Sequence, residues 1–282
     1  MACRTDKWYN IGVKSVKVFR DPAKLQKWCR ARKLAGAKIA LVPTMGALHD
    51  GHMSLIRAAK KRGADEIVVS VFVNPVQFGP NEDYEKYPRD EKSDLAKCAA
   101  EGATAVFFPT PANMYLDRHS TYINEEDLSK GLCGARRPGH FRGVCTVVAK
   151  LFNLAHPDFA VFGQKDYQQA QVIKRMVRDL NFDLKIVVAP IVREPDGLAR
   201  SSRNAYLSAE ERKTALAISK SLKSFKTLAS LRRGLEKSGL VVDYVECVDA
   251  ETLEPRKVPK KGCCVLVAVY CGKTRLIDNI LV

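Results

Sequence analysis

Two histidines three residues apart are the first candidates for chemistry in this chain. His49 and His52 follow the apolar run 38–42 and stand beside Gly46 and Gly51. This pattern predicts a strand, a tight loop and a first helical turn, where free backbone N–H groups and the positive end of a helix dipole attract phosphate. Residues three apart lie on one side of a helical turn, so both imidazoles can donate N–H groups to the same anion.

A histidine pair at this spacing is also a candidate for zinc binding. Zinc needs further ligands, yet His119, His140 and His156 lie far away in the sequence and no Cys-x-x-Cys pair occurs. Gly46 and Gly51 favour close approach of a ligand to the backbone, which a zinc site does not require. The pattern His-x-Gly-His after a buried strand therefore favours nucleotide binding, as in nucleotidyltransferases.

Further polar segments lie next to predicted strands and helices, at 74–80, 136–143, 163–169 and 201–204. Ligands of open parallel sheets bind outside the carboxyl ends of the strands, so these segments can share one cleft. Lys165 and Asp166 at a helix start can bind a phosphate and a ribose hydroxyl. Ser201, Ser202 and Arg203 offer two hydroxyls and a fixed cation, typical of a mobile phosphate clamp. Taken singly, each segment could equally be a strand end, a turn or a helix cap.

The elements that must position these residues follow from the hydrophobic pattern. Apolar runs alternate with helical patterns, which predicts an α/β fold with a Rossmann-like, doubly wound parallel sheet. The predicted strands are 38–42, 66–74, 105–108, 158–163 and 184–189, and the predicted helices are 54–62, 90–101, 144–154 and 166–180, with earlier and later helices opened by Asp21-Pro22 and Ser208.

The alternation of apolar runs and helical patterns stops near residue 190, which predicts a domain boundary. Short strand-like runs at 240–249, 263–271 and 275–282 follow a polar connection, which predicts an antiparallel sheet. We therefore expect two domains, a Rossmann-like ligand-binding domain at 1–190 and a smaller C-terminal α+β lid domain at 191–282.

Composition limits the class of protein. The longest apolar run, 263–271, is far shorter than the roughly 20 residues that span a bilayer, so no membrane segment is expected. Nine scattered cysteines do not resemble a disulfide framework and favour a reducing cytoplasm. Lysine and arginine number 47 against 31 acids, and the net charge of +16 favours anionic partners. Because these cations form no continuous stripe, a nucleic-acid-binding module is the weaker interpretation.

Six ordered motifs cover the chain from residue 41 to residue 208 nearly continuously. They are Pro43-Thr44-Met45-Gly46, His49-x-Gly51-His52, Asn74-Pro75-x-Gln77-Phe78, Arg137-Pro138-Gly139-His140-Phe141-Arg142-Gly143, Gly163-x-Lys165-Asp166-x-Gln168-Gln169 and Ser201-Ser202-Arg203-Asn204. Together they resemble the pantoate–beta-alanine ligase family, the pantothenate synthetases, within the nucleotidyltransferase superfamily. Outside them the resemblance rests on length and on the order of elements.

The resemblance implies an ATP-dependent ligation of pantoate and beta-alanine to pantothenate in two steps. ATP and pantoate would form an enzyme-bound pantoyl adenylate with loss of pyrophosphate, and the amine of beta-alanine would then displace AMP. Mg²⁺ is the implied cofactor and a homodimer the implied assembly, with no nucleic acid or membrane as partner. Charge that builds toward a leaving pyrophosphate calls for cations and N–H donors, which agrees with the residue types found.

The family pattern also implies a role for each matching residue. The catalytic phosphate contacts would be His49, His52, Lys165, Ser201, Ser202 and Arg203. ATP would further contact Pro43, Thr44, Met45, Gly46, Gly163, Gln164, Asp166, Val192 and Arg200, with the ribose on Gly163 and Asp166 and the adenine near Val192. Pantoate would lie against Pro43 and Met45, with hydrogen bonds from Gln77 and Gln169. Arg137 and His140 would lie near the beta-alanine entry, and Asp94 resembles a metal-side carboxylate.

Two residues depart from the family pattern. Arg200 stands where an apolar residue often lies beside adenine, and Gln164 stands where glutamate is common. A related nucleotidyltransferase that transfers AMP or CMP to a phosphorylated acceptor is the competing enzyme hypothesis. The amides of Gln77 and Gln169 argue against it, because they suit a small substrate of low charge better than a phosphorylated one.

Overall fold

The computed structural model describes residues 8–11, 14–80 and 82–282. The larger sheet has seven strands in the order β1-β2-β5-β4-β3-β6-β7, and all neighbours pair in parallel except β1 with β2. Its strands are β1 (Trp8–Ile11), β2 (Lys14–Phe19), β3 (Ile39–Thr44), β4 (Glu66–Val71), β5 (Ala105–Phe107), β6 (Phe159–Gly163) and β7 (Lys185–Ala189). The predicted Rossmann-like sheet is confirmed.

Helices cover both faces of this sheet. They are α1 (Pro22–Leu34), α2 (Asp50–Lys61), α3 (Glu91–Glu101), α4 (Pro111–Met114), α5 (Leu132–Arg136), α6 (His140–Ala155) and α7 (Tyr167–Asp179). Successive side chains of a strand point to opposite faces. Accordingly Leu41 packs in one core with α1, α6 and α7, whereas Ala40 and Val42 pack in a second core with α2 and α3.

The C-terminal part forms the predicted antiparallel sheet, in the order β10-β9-β8. Its elements are α8 (Ala209–Ser224), α9 (Leu228–Lys237), β8 (Val241–Asp249), β9 (Cys263–Cys271) and β10 (Thr274–Leu281). One face packs on α8 and α9, while Leu266 and Ala268 on the other face join the core of the larger sheet. A domain division at residue 190 stays a prediction. Within the described residues, no helix combines the length and the apolar character needed to cross a membrane.

Several element boundaries differ from the prediction. Strand β2 was not predicted because its lysines suggested a solvated face, yet Val16 and Val18 are buried. Helix α2 begins at Asp50 and α6 at His140, each earlier than expected, so both carry motif residues in their first turn. Helix α9 was not predicted either, whereas α8 begins after Ser208 as expected, with Ser208 and Glu211 forming a reciprocal capping box.

The strand order brings the polar segments together. Strands β4, β3, β6 and β7 are parallel neighbours, so their carboxyl ends lie along one edge of the sheet. The segments that follow Thr44, Val71, Gly163 and Ala189 therefore leave the sheet side by side. This edge is where an open α/β sheet binds ligands.

We expect Gly143→Ala to destabilise the fold by about 1–3 kcal/mol, because an added methyl group would overpack a close helix contact. A Cβ at this position would lie 2.5 Å from the carbonyl oxygen of Val76. The measurement is the free energy of unfolding in urea, with Gly163→Ala as control, since a Cβ there meets nothing within 4 Å. Equal stability of the two variants would contradict this account of the contact.

Candidate functional site

A cavity of about 190 Å³ opens at the carboxyl edge of the parallel strands. The structure brings most of the predicted site residues to its wall. They are Pro43, Thr44, Met45, His49, His52, Gln77, Gly163, Lys165, Asp166, Gln169, Val192, Arg200, Ser201, Ser202 and Arg203. Imidazole, ammonium and guanidinium groups from separate segments thus share one crevice with two uncharged amides.

A larger cavity of about 600 Å³ adjoins the first one and extends toward the C-terminal sheet. Lys165, Asp166 and Arg203 line both cavities, so they lie at the boundary between them. Arg137 and His140 line only the larger cavity. A long ligand can therefore reach from the amide-lined end into the space beside the C-terminal strands.

The first turn of α2 fixes the proton positions of both histidines. The N–H of Gly51 donates to Nδ1 of His49 at 3.2 Å, and the N–H of His49 donates to Nδ1 of His52 at 3.3 Å. Since a backbone N–H only donates, each Nδ1 is an acceptor and each neutral ring carries its proton on Nε2. The pair therefore offers Nε2–H donors, with ring centres 4.1 Å apart.

Both rings are held in the neutral state. Burial lowers the pKa of His49 to about 4, and the nearby charges of Lys165 and Arg200 act in the same direction. Burial also lowers the pKa of His52 well below its usual range, helped by the adjacent His49. At neutral pH these histidines act as oriented dipoles, while the positive charge in the cavity comes from Lys165 and the arginines.

Lys165 lies on a short 3₁₀ turn, Gln164–Asp166, directly after β6. Its ammonium is 3.8 Å from the carboxylate of Asp166. The buried side chain of Asn279, on β10, donates to the backbone carbonyls of Gln164 and Lys165, both at 3.0 Å. Gln164 lines neither cavity, and its side-chain amide donates to Oδ1 of Asn279 at 3.1 Å. A contact of Gln164 with ATP stays a prediction.

The predicted phosphate clamp is tied to the segment that precedes α3. Asp83 accepts two hydrogen bonds from the guanidinium of Arg203, at 2.8 and 3.2 Å. The hydroxyl groups of Tyr87 and Ser202 lie 3.1 Å apart. Asp83 and Tyr87 were missed by the sequence reasoning, since nothing in their local sequence indicates a partner more than a hundred residues away.

Arg200 lies beside Val192, as the family pattern implies. Its backbone N–H donates to the carbonyl of Val192 at 2.9 Å, and its guanidinium contacts the carboxylate of Asp50 at 2.6 Å. Its buried Nε has no hydrogen-bond partner within the described part of the chain. Arg200 thus links the start of α2 to the segment that carries Val192.

Arg137 and His140 form hydrogen bonds beside the turn that carries Gln77. Arg137 donates to both oxygens of Glu82 at 2.6 Å and to Nε2 of His140 at 3.0 Å. Because Nε2 accepts, the His140 proton is on Nδ1, which donates to the carbonyl of Gln77 at 2.8 Å. Burial lowers the pKa of His140 to about 4. A beta-alanine contact by these two residues stays a prediction.

Asp94, predicted as a metal-side carboxylate, is bound by the backbone of the turn before His49, and a metal contact there stays a prediction. This carboxylate is only 1% exposed, and its two oxygens accept the N–H groups of Ala47 and Leu48 at 3.0 and 2.7 Å. Lys97, one turn further along α3, donates to the carbonyl of Leu48 at 2.7 Å. The two side chains hold the turn before His49. Within the described ranges, no group of three or more histidine, cysteine, aspartate or glutamate residues is placed to hold a metal.

Gly46 shapes the same turn and does not line either cavity. Its φ of +88° is in the left-handed region, and a Cβ there would come within 3.0 Å of Asp94 Oδ2 and Val71 Cγ1. Glycine is required for both reasons. The predicted ATP contact of Gly46 stays a prediction.

Comparison with known proteins adds an independent result. The model of the family described as Pantoate-beta-alanine ligase matches residues 17–281. A pantothenate synthetase from Myxococcus xanthus (strain DK1622) is 52% identical over 277 residues, covering 93% of this chain and 94% of the relative. The chain is similar over most of its length to these proteins.

Two solved structures are also similar in fold. Pantothenate synthetase from Thermus thermophilus superposes with a TM-score of 0.85 at 41% identity, covering 93% of this chain and 98% of that one. Pantoate-beta-alanine ligase from Francisella tularensis, complexed with beta-gamma ATP and beta-alanine, has a TM-score of 0.83 at 35% identity, with 94% and 97% covered.

We expect Asp94→Asn to lower the free energy of unfolding by about 1–3 kcal/mol, because the new NH₂ group would face a backbone N–H. Activity should also fall, since the turn before His49 loosens, and raising the Mg²⁺ concentration should not restore it. Glu101→Gln on the same helix loses only the surface pair with Arg57 and should change stability little. Rescue of Asp94→Asn by Mg²⁺ would instead support a metal ligand at this position.

We expect the stability of the protein to fall as the pH drops from about 6.5 to about 4. A histidine whose pKa is lowered by folding binds fewer protons in the native than in the unfolded state. Its contribution to the free energy of unfolding is therefore complete above pH 6.5 and is lost as the pH falls to the pKa of the folded state, about 4. His49→Asn keeps an acceptor for the N–H of Gly51 and removes this titration. Urea unfolding of both proteins between pH 7.5 and 4 should show the smaller loss in the variant; identical losses would contradict the assigned pKa shift.

Proposed function

Since this chain belongs to the pantoate-beta-alanine ligase family, we propose that it joins pantoate to beta-alanine using ATP, through a pantoyl adenylate. The observation that supports this most is the composition of the smaller cavity. Donors for a phosphate, from His49, His52 and Lys165, meet the uncharged amides of Gln77 and Gln169 on one wall. An anionic reaction centre beside a pocket for a small hydroxy acid is what such an adenylation requires.

In the proposed first step, a carboxylate oxygen of pantoate attacks the α-phosphorus of ATP. A new P–O bond forms, the bond to the β-phosphate oxygen breaks, and pyrophosphate leaves with the electron pair. Lys165 and the Nε2–H groups of the histidines would stabilise the charge on the α-phosphate, with no covalent enzyme intermediate. Neutral histidines can perform this task because Nδ1 of each ring accepts a backbone N–H, which leaves Nε2–H as a donor.

Ser201, Ser202 and Arg203 are proposed to hold the leaving phosphates. Because Arg203 is paired with Asp83 in this structure, phosphate binding there means exchange of one anionic partner for another. After the exchange this partly buried guanidinium again has an anionic partner. The ribose is proposed to lie at Gly163 and Asp166, and the adenine beside Val192 and Arg200.

In the proposed second step, the uncharged amine of beta-alanine attacks the acyl carbon of the adenylate. The acyl–oxygen bond to phosphate breaks, AMP leaves, and the amine loses a proton as the amide forms. The larger cavity gives a route to this centre past Arg137 and His140. Arg137 is engaged with Glu82, so capture of the beta-alanine carboxylate there would again replace one carboxylate partner by another.

Mg²⁺ is proposed to bind only together with ATP, through the phosphates. Magnesium commonly binds through substrate phosphates, water and one or two carboxylates rather than in an all-protein cage. Asp94, the predicted metal-side carboxylate, already accepts two backbone N–H groups, and no step above depends on the metal. A homodimer likewise remains a prediction.

We expect Lys165→Ala, His49→Ala and Arg203→Ala each to reduce pyrophosphate release by about 10² or more, since each removes one electrostatic donor. Lys213→Ala is the matched control, because this lysine is largely exposed on α8. The assay is pantoate-dependent release of pyrophosphate from ATP. Release that continues without pantoate would favour a different nucleotidyltransferase, and near-normal rates in all three variants would overturn the assigned roles.

A further inference from the structure

The side chain of Asn74 has a fixed orientation beneath the smaller cavity. It is 1% exposed, and its Oδ1 accepts the N–H of Val76 at 3.3 Å and the hydroxyl proton of Tyr115 at 2.7 Å. Because a backbone N–H can only donate, the atom facing Val76 must be the amide oxygen. The NH₂ group of Asn74 therefore points to the opposite side.

That NH₂ group in turn determines the orientation of Gln77. Asn74 Nδ2 donates to the carbonyl of Gly143 at 3.2 Å and to Oε1 of Gln77 at 3.1 Å. A carbonyl can only accept, so both ends of the Asn74 amide are assigned by backbone groups. With Oε1 of Gln77 bound in this way, its Nε2 is left on the side of Met45, which lines the cavity.

The Nε2 end of the Gln77 amide faces a weak hydrogen-bond acceptor. Gln77 Nε2 lies 3.0 Å from the thioether sulfur of Met45, which is a poor hydrogen-bond acceptor. A carboxylate or hydroxyl oxygen in the cavity would form a stronger, and in the first case charge-assisted, bond with the same donor. The opposite orientation of Gln77 would present Oε1 to that oxygen, which would repel a carboxylate.

We propose that Asn74 and Tyr115 are positioning residues that hold the Gln77 amide as a donor toward the substrate, so that this cavity selects ligands with an acceptor oxygen there. The inference rests on the proposed function, because the substrate oxygen meant is that of pantoate. Tyr115 does not line either cavity, so its proposed effect on the ligand passes through Asn74. It follows α4 and packs on Phe72, with ring centres 6.4 Å apart.

Tyr115 is well suited to hold Asn74. Burial raises the pKa of the Tyr115 phenol above its usual range, so the hydroxyl keeps its proton and remains a donor. Its bond to Asn74 is the shorter of the two that fix Oδ1, the other being the 3.3 Å bond from Val76. Without the hydroxyl, the long bond alone holds that end of the amide.

The first test compares Tyr115→Phe with Tyr122→Phe. Tyr122 belongs to the same aromatic cluster and contacts Arg142 through its ring, which phenylalanine retains. We expect Tyr115→Phe to raise the KM for pantoate about tenfold with the KM values for ATP and beta-alanine within about twofold of normal, and Tyr122→Phe to change none of them. An unchanged KM for pantoate, or an equal rise for all three substrates, would overturn the proposal.

The second test reads the orientation directly and needs no activity. In the substrate-free protein, the side-chain NH₂ protons of Gln77 should give nuclear Overhauser contacts to the methyl group of Met45. Asn74→Asp removes the donor to Gln77 Oε1 and should abolish these contacts, and Tyr115→Phe should weaken them. Contacts of equal strength in all three proteins would overturn the proposal.

The two tests separate failure of this inference from failure of the proposed function. If the wild-type protein shows no pantoate-dependent pyrophosphate release, the function is wrong, and the nuclear Overhauser measurement still decides the orientation. If the wild-type protein is active while Tyr115→Phe keeps a normal KM for pantoate, only the positioning role is wrong.

Discussion

The turn between β3 and α2 depends on one buried carboxylate. Here the chain leaves the sheet and reverses under the cavity, and the N–H groups of Ala47 and Leu48 have no partner in regular structure. Asp94 accepts both, and Gly46 supplies the left-handed conformation that brings them to it. Leaving such buried donors unpaired costs about 1–3 kcal/mol each. The position of His49, and through its capping bonds that of His52, follows from this contact.

The proposed roles of the site residues rest on a division between dipoles and charges. The histidines are neutral because burial and nearby cations oppose their protonation. They therefore contribute oriented N–H donors and no net charge. The cations that face the cavity are mostly partnered: Arg203 by Asp83 and Arg200 by Asp50. Pairing compensates these partly exposed charges and leaves the guanidinium groups where an anionic ligand can exchange for a carboxylate.

The sequence predicted the parallel sheet, the antiparallel C-terminal sheet and most residues of the cavity wall, because these depend on local periodicity and on short motifs. Strand β2 was missed because its lysines suggested a solvated face, whereas Val16 and Val18 are buried. The backbone partners of Asp94 could not be predicted for a different reason. Its carboxylate has the chemistry of a metal ligand, and only the fold shows that both oxygens are already bound by backbone some 46 residues earlier.

The partners of the motif residues could not be predicted for the same reason, because they lie far away in the sequence and only the fold brings them close. Asn279 supports the turn of Lys165 from a strand more than a hundred residues away, and its only local signal is a polar pair, Asp278 and Asn279, inside an apolar strand. Tyr115 supports Asn74 from a helix end with no motif around it. Motifs identify the groups that face a ligand. The groups that orient them are chosen by geometry, since any donor at the right place would satisfy the same amide, and so they carry no pattern that a single sequence can show.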